Sequence, residues 1–352
     1  MRVLFTVSHP AHVHLFRNLI RELDARGHIT KMTVLEKEVT CRLLDSFGIP
    51  YQVVGRMRPS FSGKAYTLAL AVARLLRVAR DFRPDLMVEG PGFAILGPVG
   101  KLLKKPVIIF DDTEDARLEH LLGDPFVDRI FTPSCYRRDL GPKQVRYPGY
   151  HELAYLHPSR FTPDPRVPES LGLDAKDTLI LLRFVSWHAL HDRGESGIRR
   201  KADWIRELER YGRVLISSES PLGKDLEPYR LPVPPEQLHD LLSFTTLSIG
   251  EGATVASESA VLGTHAIYVN TLRAGVQQEE EERYGLVSCF PDPATGEKEA
   301  FRKALSLLEN PNLREEGRRK RERLLAEKID VTGYMVRVVE GYPDSVAGAA
   351  AR

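Results

Sequence analysis

Short apolar runs of strand length alternate with amphipathic helical patterns along nearly the whole chain, the form that a parallel sheet wound by crossover helices takes in sequence. In the first half the runs are Arg2–Val7, Thr30–Val34, Pro50–Val54, Leu86–Glu89, Val107–Phe110 and Arg129–Thr132. Between the first two, Val13–Arg26 places Val13, Phe16, Leu19, Ile20 and Leu23 on one face at a 3.6-residue period, with Gly27 as its C-cap. From Val145 to Asp177, Pro148, Pro158, Pro163, Pro165 and Pro168 interrupt any period and predict a connector. The alternation then restarts. Strands are expected at Thr178–Phe184, Arg213–Ser217, Leu247–Ile249 and Ala266–Val269, and helices at Ile198–Tyr211, Pro235–Leu242, Val255–Leu262 and Lys298–Leu308.

A chain of 352 residues exceeds one ordinary hydrophobic core, so the two trains predict two doubly wound α/β domains. The expected layout is a first domain at 1–150, a proline-rich linker at 151–177 and a second domain at 178–330. A helix at 331–343 and a disordered small-residue tail at 344–352 follow. Sheets of this kind bind ligands outside the carboxyl ends of their strands, here in a cleft faced by both domains. The 50 basic residues nearly balance the 48 acidic ones, so nothing points to nucleic acid, and an anionic ligand must be held locally. Cys41, Cys135 and Cys289 lie far apart without Cys-x-x-Cys spacing, which suggests neither a disulfide framework nor a zinc site and suits a reducing cytoplasm. The apolar stretch Tyr66–Ala79 is broken by Arg74 and Arg77 and is too short to span a bilayer. The helix around it, Ala65–Arg80, offers a peripheral contact with the inner membrane face.

Four segments carry the chemistry. Ser8-His9-Pro10-Ala11-His12-Val13-His14 follows the first strand as a loop, where an imidazole can take a proton near neutral pH; His14 is expected along the helix flank. Asp111-Asp112-Thr113-Glu114-Asp115 follows a buried strand. Its four carboxylates either raise one another's pKa for acid–base work or cap a helix, and the sequence leaves both open. Arg183 to His188, with His191, Asp192 and Arg193, ends the first strand of the second half. Its arginines suit phosphate, and its histidines lack the further ligand that a metal needs, so no metal is expected. Gly250-Glu251-Gly252-Ala253-Thr254 runs from a strand into a helix whose free amides form an anion site, with Thr254 and Ser257 adding hydroxyls. The run Gln277–Glu282 and the basic cluster Arg314–Arg323 are expected to be solvated helix faces.

These segments resemble a known superfamily. "SHPAHVHLFRNLIRELDARGH" resembles the opening of GT-B proteins, "PDLMVEG…KKPVIIFDDTEDA" is similar to UDP-N-acetylglucosamine 2-epimerases, and "GEGATVASESAVLGTHAIYV" looks like a nucleotide-sugar signature. With "YPGYHELAYLHPSRF" and "LRFVSWHALHDRG", the whole chain looks most like a prokaryotic family of unknown function within that superfamily. The resemblance implies a GT-B fold and a nucleotide-sugar substrate, with UDP expected and no further cofactor. It makes His12 the catalytic base, aided by Asp112 and Glu114, the latter matching the acidic residue of the epimerases. It gives the donor diphosphate to Gly250, Gly252 and Thr254, with Arg183, His188 and Arg193 on the phosphates. Glu219 lies near the base, with Ser257 and Glu258 at the ribose. A transfer to a lipid-linked or small-molecule acceptor is the first expectation. An epimerase using Glu114 and a histidine of the 188–191 loop, or a non-catalytic binding protein, are the alternatives. The epimerase pattern wants an Asp where this chain reads Glu89-Gly90-Pro91-Gly92. Glu251 and Glu258 stand seven apart rather than the eight of retaining transferases, so the stereochemical outcome stays open.

Overall fold

The computed structural model describes the chain except residues 38, 58–60, 93–94, 175, 186–197, 219–220 and 348–352. It divides into two compact units, Met1–Tyr155 with Ile329–Arg352, and Leu156–Lys328.

The first unit is built on β1 (Arg2–Val7), α1 (Pro10–Ala25), β2 (Ile29–Glu36), α2 (Thr40–Ser46), β3 (Tyr51–Arg56), α3 (Phe61–Phe82), β4 (Leu86–Glu89), α4 (Leu96–Leu103), β5 (Val107–Phe110), α5 (Arg117–Gly123), β6 (Arg129–Pro133) and β7 (Gln144–Tyr147). Its seven strands are all parallel in the order β3-β2-β1-β4-β5-β6-β7, so the chain winds outward in both directions from β1 and β4. The central strands are apolar on both faces because helices cover both, and β4 and β5 are buried at every residue. One core cluster joins α3 and α4 to Met87, Ile109 and Ile130 of the strands.

The second unit contains α6 (Arg166–Ser170), β8 (Leu179–Phe184), α7 (Lys201–Leu208), β9 (Arg213–Ser218), α8 (Leu238–Phe244), β10 (Leu247–Gly250), α9 (Ala253–Leu262), β11 (His265–Tyr268), α10 (Gly275–Glu279), β12 (Val287–Cys289), α11 (Gly296–Leu308) and α12 (Leu313–Glu327). Its sheet is parallel in the order β12-β11-β10-β8-β9. Two further helices, α13 (Val331–Gly341) and α14 (Asp344–Ala347), return to the first unit.

Several expectations need correction. Helix α1 begins at Pro10, not Val13: the His9 side chain accepts from Ala11 N–H and proline suits the first helical position, so His12 and His14 lie on the helix and not in a loop. The stretch 151–177 is not a bare linker. Leu153, Tyr155 and Leu156 are fully buried, and Asn18 of α1 donates to Ala154 O at 2.9 Å. The prolines mark turns there, while the aromatics pack. Helix α13 is part of the first unit: Thr332 Oγ1 donates to Ala154 O at 2.7 Å, and Tyr334 stacks on Tyr147 at 5.1 Å. Asp344–Ala347, expected in a disordered tail, form a helical turn. The glutamate run is not simply a solvated face either, since Glu280 is fully buried.

Candidate functional site

In the first unit, the carboxyl ends of β1, β4 and β5 are followed by the first turn of α1 with His12, by Gly90 and by the acidic segment. The His12 ring lies against Gly90, where an added Cβ would come within 2.8 Å of the ring, so only glycine fits beside it. Ser8 N–H donates to His12 Nδ1 at 3.4 Å, which leaves the neutral ring with its proton on Nε2. Burial, with His9 nearby, holds the His12 pKa well below the usual imidazole value, against the opposite pull of Asp112. His14 does not run along the flank; it is buried between the Phe47 and Tyr155 rings, at 5.6 and 5.2 Å.

Of the four carboxylates after β5, Asp111, Asp112 and Glu114 each have partners of their own, and Asp115 is exposed. Asp112 Oδ2 lies 3.1 Å from Nδ1 of His151. Burial pushes its carboxyl up, but His151 and then His12 outweigh it and hold Asp112 below the ordinary value. Asp111 is raised to about 6, chiefly by burial, with His120 opposing; it accepts from Thr113 N–H at 3.1 Å and Tyr136 O–H at 3.0 Å. Glu114, expected as a catalytic acid, is buried and its Oε2 takes Arg137 Nε–H at 2.8 Å, while Arg138 donates to its backbone carbonyl. The capping alternative fails, since α5 starts at Arg117 without a side-chain cap. Glu89, at the place of the missing epimerase aspartate, is buried, and its two oxygens accept from Ile95 and Leu96 N–H at the start of α4.

In the second unit Gly250 closes β10 so near β8 that an added Cβ would lie 2.6 Å from Arg183 O. Gly252 is the N-cap of α9 in extended conformation and brings no side-chain cap, so among the described residues the first amides of this ten-residue helix have no capping group. Thr254 is on that first turn. Glu251 is not a sugar-facing partner of Glu258: its two oxygens accept from Val185 N–H at 3.0 Å and Ile198 N–H at 2.8 Å, tying together the flanks of residues 186–197. Ser257 faces inward, fully buried, donating to Glu280 Oε2 and accepting from Gln277, both at 2.8 Å, so its hydroxyl is not a ligand contact. Glu258 is buried, and its Oε1 accepts from His239 Nε2–H at 2.8 Å. Arg183 donates to Ser217 Oγ at 2.9 Å at the strand ends. The expected contacts His188, Arg193 and Glu219 lie outside the described residues.

Sequence reasoning missed His151 and His239, the two histidines that hold the two central carboxylates. Each is far from its partner along the chain, 39 and 19 residues respectively, and neither stands in a recognisable spacing.

Comparison with solved structures supplies the fold type. The chain is similar to the UDP-GlcNAc 2-epimerase from Neisseria meningitidis bound to UDP-GlcNAc, at 14% identity and TM-score 0.69, over 97% of this chain and 100% of that one. It is similar to the Methanocaldococcus jannaschii UDP-GlcNAc 2-epimerase in complex with UDP-GlcNAc and UDP, at 13% identity and TM-score 0.65, over 97% and 99%. It is also similar to spinosyn rhamnosyltransferase complexed with spinosyn aglycone, at 16% identity and TM-score 0.60, over 97% and 100%. These likenesses establish an α/β fold of GT-B type with Rossmann-like domains. No curated protein matches the sequence. One family model matches residues 1–276, well over half of the chain, and the protein therefore belongs to the family described as protein of unknown function DUF354.

Proposed function

We propose that the protein is a nucleotide-sugar-dependent glycosyltransferase, with UDP as the expected nucleotide. The observation that carries this reading is the amino end of α9, uncapped after Gly250-Glu251-Gly252, with the carboxylate of Glu258 in the same helix. Amides at a helix start favour a diphosphate, and a carboxylate held by His239 suits ribose hydroxyls. The second unit takes the donor. In the first unit, Asp112 is the group kept ionised, so it accepts the proton of the acceptor hydroxyl. His12, whose Nδ1 is engaged by Ser8, offers Nε2–H to orient that oxygen. Epimerisation is disfavoured, because Glu89 is occupied by α4 and Glu114 by Arg137.

Thermal stability tests the donor site. UDP or UDP-GlcNAc at 100 times its dissociation constant should add ~2.7 kcal/mol of stability. Glu258→Gln, which keeps an acceptor for His239, should lose most of that gain. Failure of every nucleotide to raise the melting temperature sinks the reading. Incubation with UDP-GlcNAc alone in heavy water separates the reactions, because deuterium at the sugar C2 would establish an epimerase instead.

A further inference from the structure

A cavity of about 510 Å3 lies in the second unit at the amino ends of β10 and β11, the end of the sheet opposite Gly250. That volume suits a small organic ligand. Two kinds of surface line it. Phe161, Phe244 and Leu262 supply apolar area, and Arg314, Arg318 and Arg321 of α12 supply charge, with no carboxylate in the lining among the described residues. The sequence of α12 explains the gathering of arginines. They stand at i, i+4 and i+7, on one face of the helix. Gly317 lets α12 approach the end of α9 so closely that an added Cβ would strike Gly263 O. Arg314 Nε then donates to Thr246 Oγ1 at 3.0 Å and its Nη2 to Phe244 O at 3.1 Å, while Arg321 Nε donates to Val261 O at 2.8 Å. These acceptors are uncharged, so the bonds hold the guanidinium groups in place without neutralising them.

The acids on the neighbouring elements do not supply the missing charge. Glu315 pairs with Arg318 at 3.5 Å, but both side chains are more than half exposed, where such a pair contributes little. Glu316 holds Lys320, Asp164 holds Arg166, and Asp240 accepts from Asp164 N–H. Burial lowers the pKa of Arg314 and of Arg321, and Arg318 adds to the effect on Arg314; Asp177 and Glu322 pull the other way without overcoming it. Three cations around one cavity favour an anion from solution. A phosphoryl group, with several oxygens to meet arginine forks, matches them better than a single carboxylate. We propose that this cavity binds a small organic phosphate, its phosphoryl group held by Arg314, Arg318 and Arg321 and its apolar part against Phe161, Phe244 and Leu262. The site lies at the far end of α9 from Gly252 and does not rest on the donor-site reading.

Calorimetric titration of the full-length protein with phenyl phosphate, inorganic phosphate and phenol tests it. Phenyl phosphate should bind more tightly than either of the other two, because only it meets both the arginines and the apolar lining. Arg318→Glu and Thr162→Glu change exposed residues of the lining, so the fold and any UDP-induced rise in melting temperature should persist. Each should weaken phenyl phosphate binding roughly 10-fold or more. Arg183→Ala, at the carboxyl end of β8, should leave that affinity unchanged. The proposal is overturned if phenyl phosphate does not bind, if inorganic phosphate binds equally well, or if either lining variant keeps the parent affinity. It is also overturned if Arg183→Ala abolishes binding, which would place the phosphate at the carboxyl ends of the strands instead.

Discussion

Asp111 and Asp112 are neighbours in sequence, yet their surroundings drive them apart. Asp112 faces His151 and His12 and stays ionised, whereas Asp111 lies among Tyr136, Thr113 and His120 with its carboxyl raised to about 6. Two carboxyls pushed in opposite directions are a common way to separate reactive from structural acids. Turnover should require ionised Asp112 and should fall on the acid side as that carboxylate takes a proton. His151→Gln removes the group that lowers it most, so the acid limb of the pH–rate profile should move to higher pH while nucleotide binding persists. Asp112→Asn should cost ~100- to 10,000-fold in rate. Glu114→Gln, which alters the Arg137 pair and leaves His151 in place, should not move the limb. An unmoved limb in His151→Gln would show that the histidine merely packs.

At the scale of elements, the central strands and most helices were legible, because burial on both sheet faces writes continuous apolar runs and helix faces write a 3.6 period. The edges were not. β7 and β12 have four and three residues, and Gln144-Val145-Arg146-Tyr147 carries too little apolar signal to stand apart from a loop. The site was legible where backbone chemistry is encoded locally, as in Gly250-Glu251-Gly252. It was illegible where a distant side chain decides, as His151 does for Asp112 and Arg137 for Glu114. The basic cluster of α12 shows the same limit. Arg314 and Arg321 are partly buried and donate to Phe244 O near the end of α8 and to Val261 O near the end of α9, at 3.1 and 2.8 Å. They satisfy carbonyls that those helix ends leave open, so this part of the cluster is not the solvated face that its charge suggested. Arg321→Ala should lower stability by about 1–2 kcal/mol in denaturant unfolding. Arg323→Ala, an exposed residue 3.6 Å from Glu327, should stay within about 0.5 kcal/mol of the parent. Equal effects would mean that the carbonyl contacts contribute nothing.

For the whole molecule, the chain crosses between units twice, after Tyr155 and after Lys328, so the second unit is a continuous insertion and the first is assembled from both ends of the sequence. This makes the C-terminal segment part of the first core. Val331, Met335, Val336, Val338 and Val339 of α13 are buried, and Ile329 N–H donates to Pro148 O at 3.0 Å. Burying five such side chains contributes at most roughly 8–15 kcal/mol, which is comparable with the entire stability of an ordinary domain. The second unit has no such dependence, since its cluster around Ile180, Leu182, Ile249 and Ile267 draws only on residues within 156–328. A fragment of residues 156–328 should therefore unfold cooperatively by circular dichroism and keep the nucleotide-induced rise in melting temperature. A fragment of residues 1–155 should lack a cooperative transition until residues 329–352 are rejoined to it or added as a peptide. Cooperative unfolding of 1–155 alone would show that α13 decorates the first unit without completing its core. Loss of nucleotide binding by a folded 156–328 would place part of the donor site in the first unit.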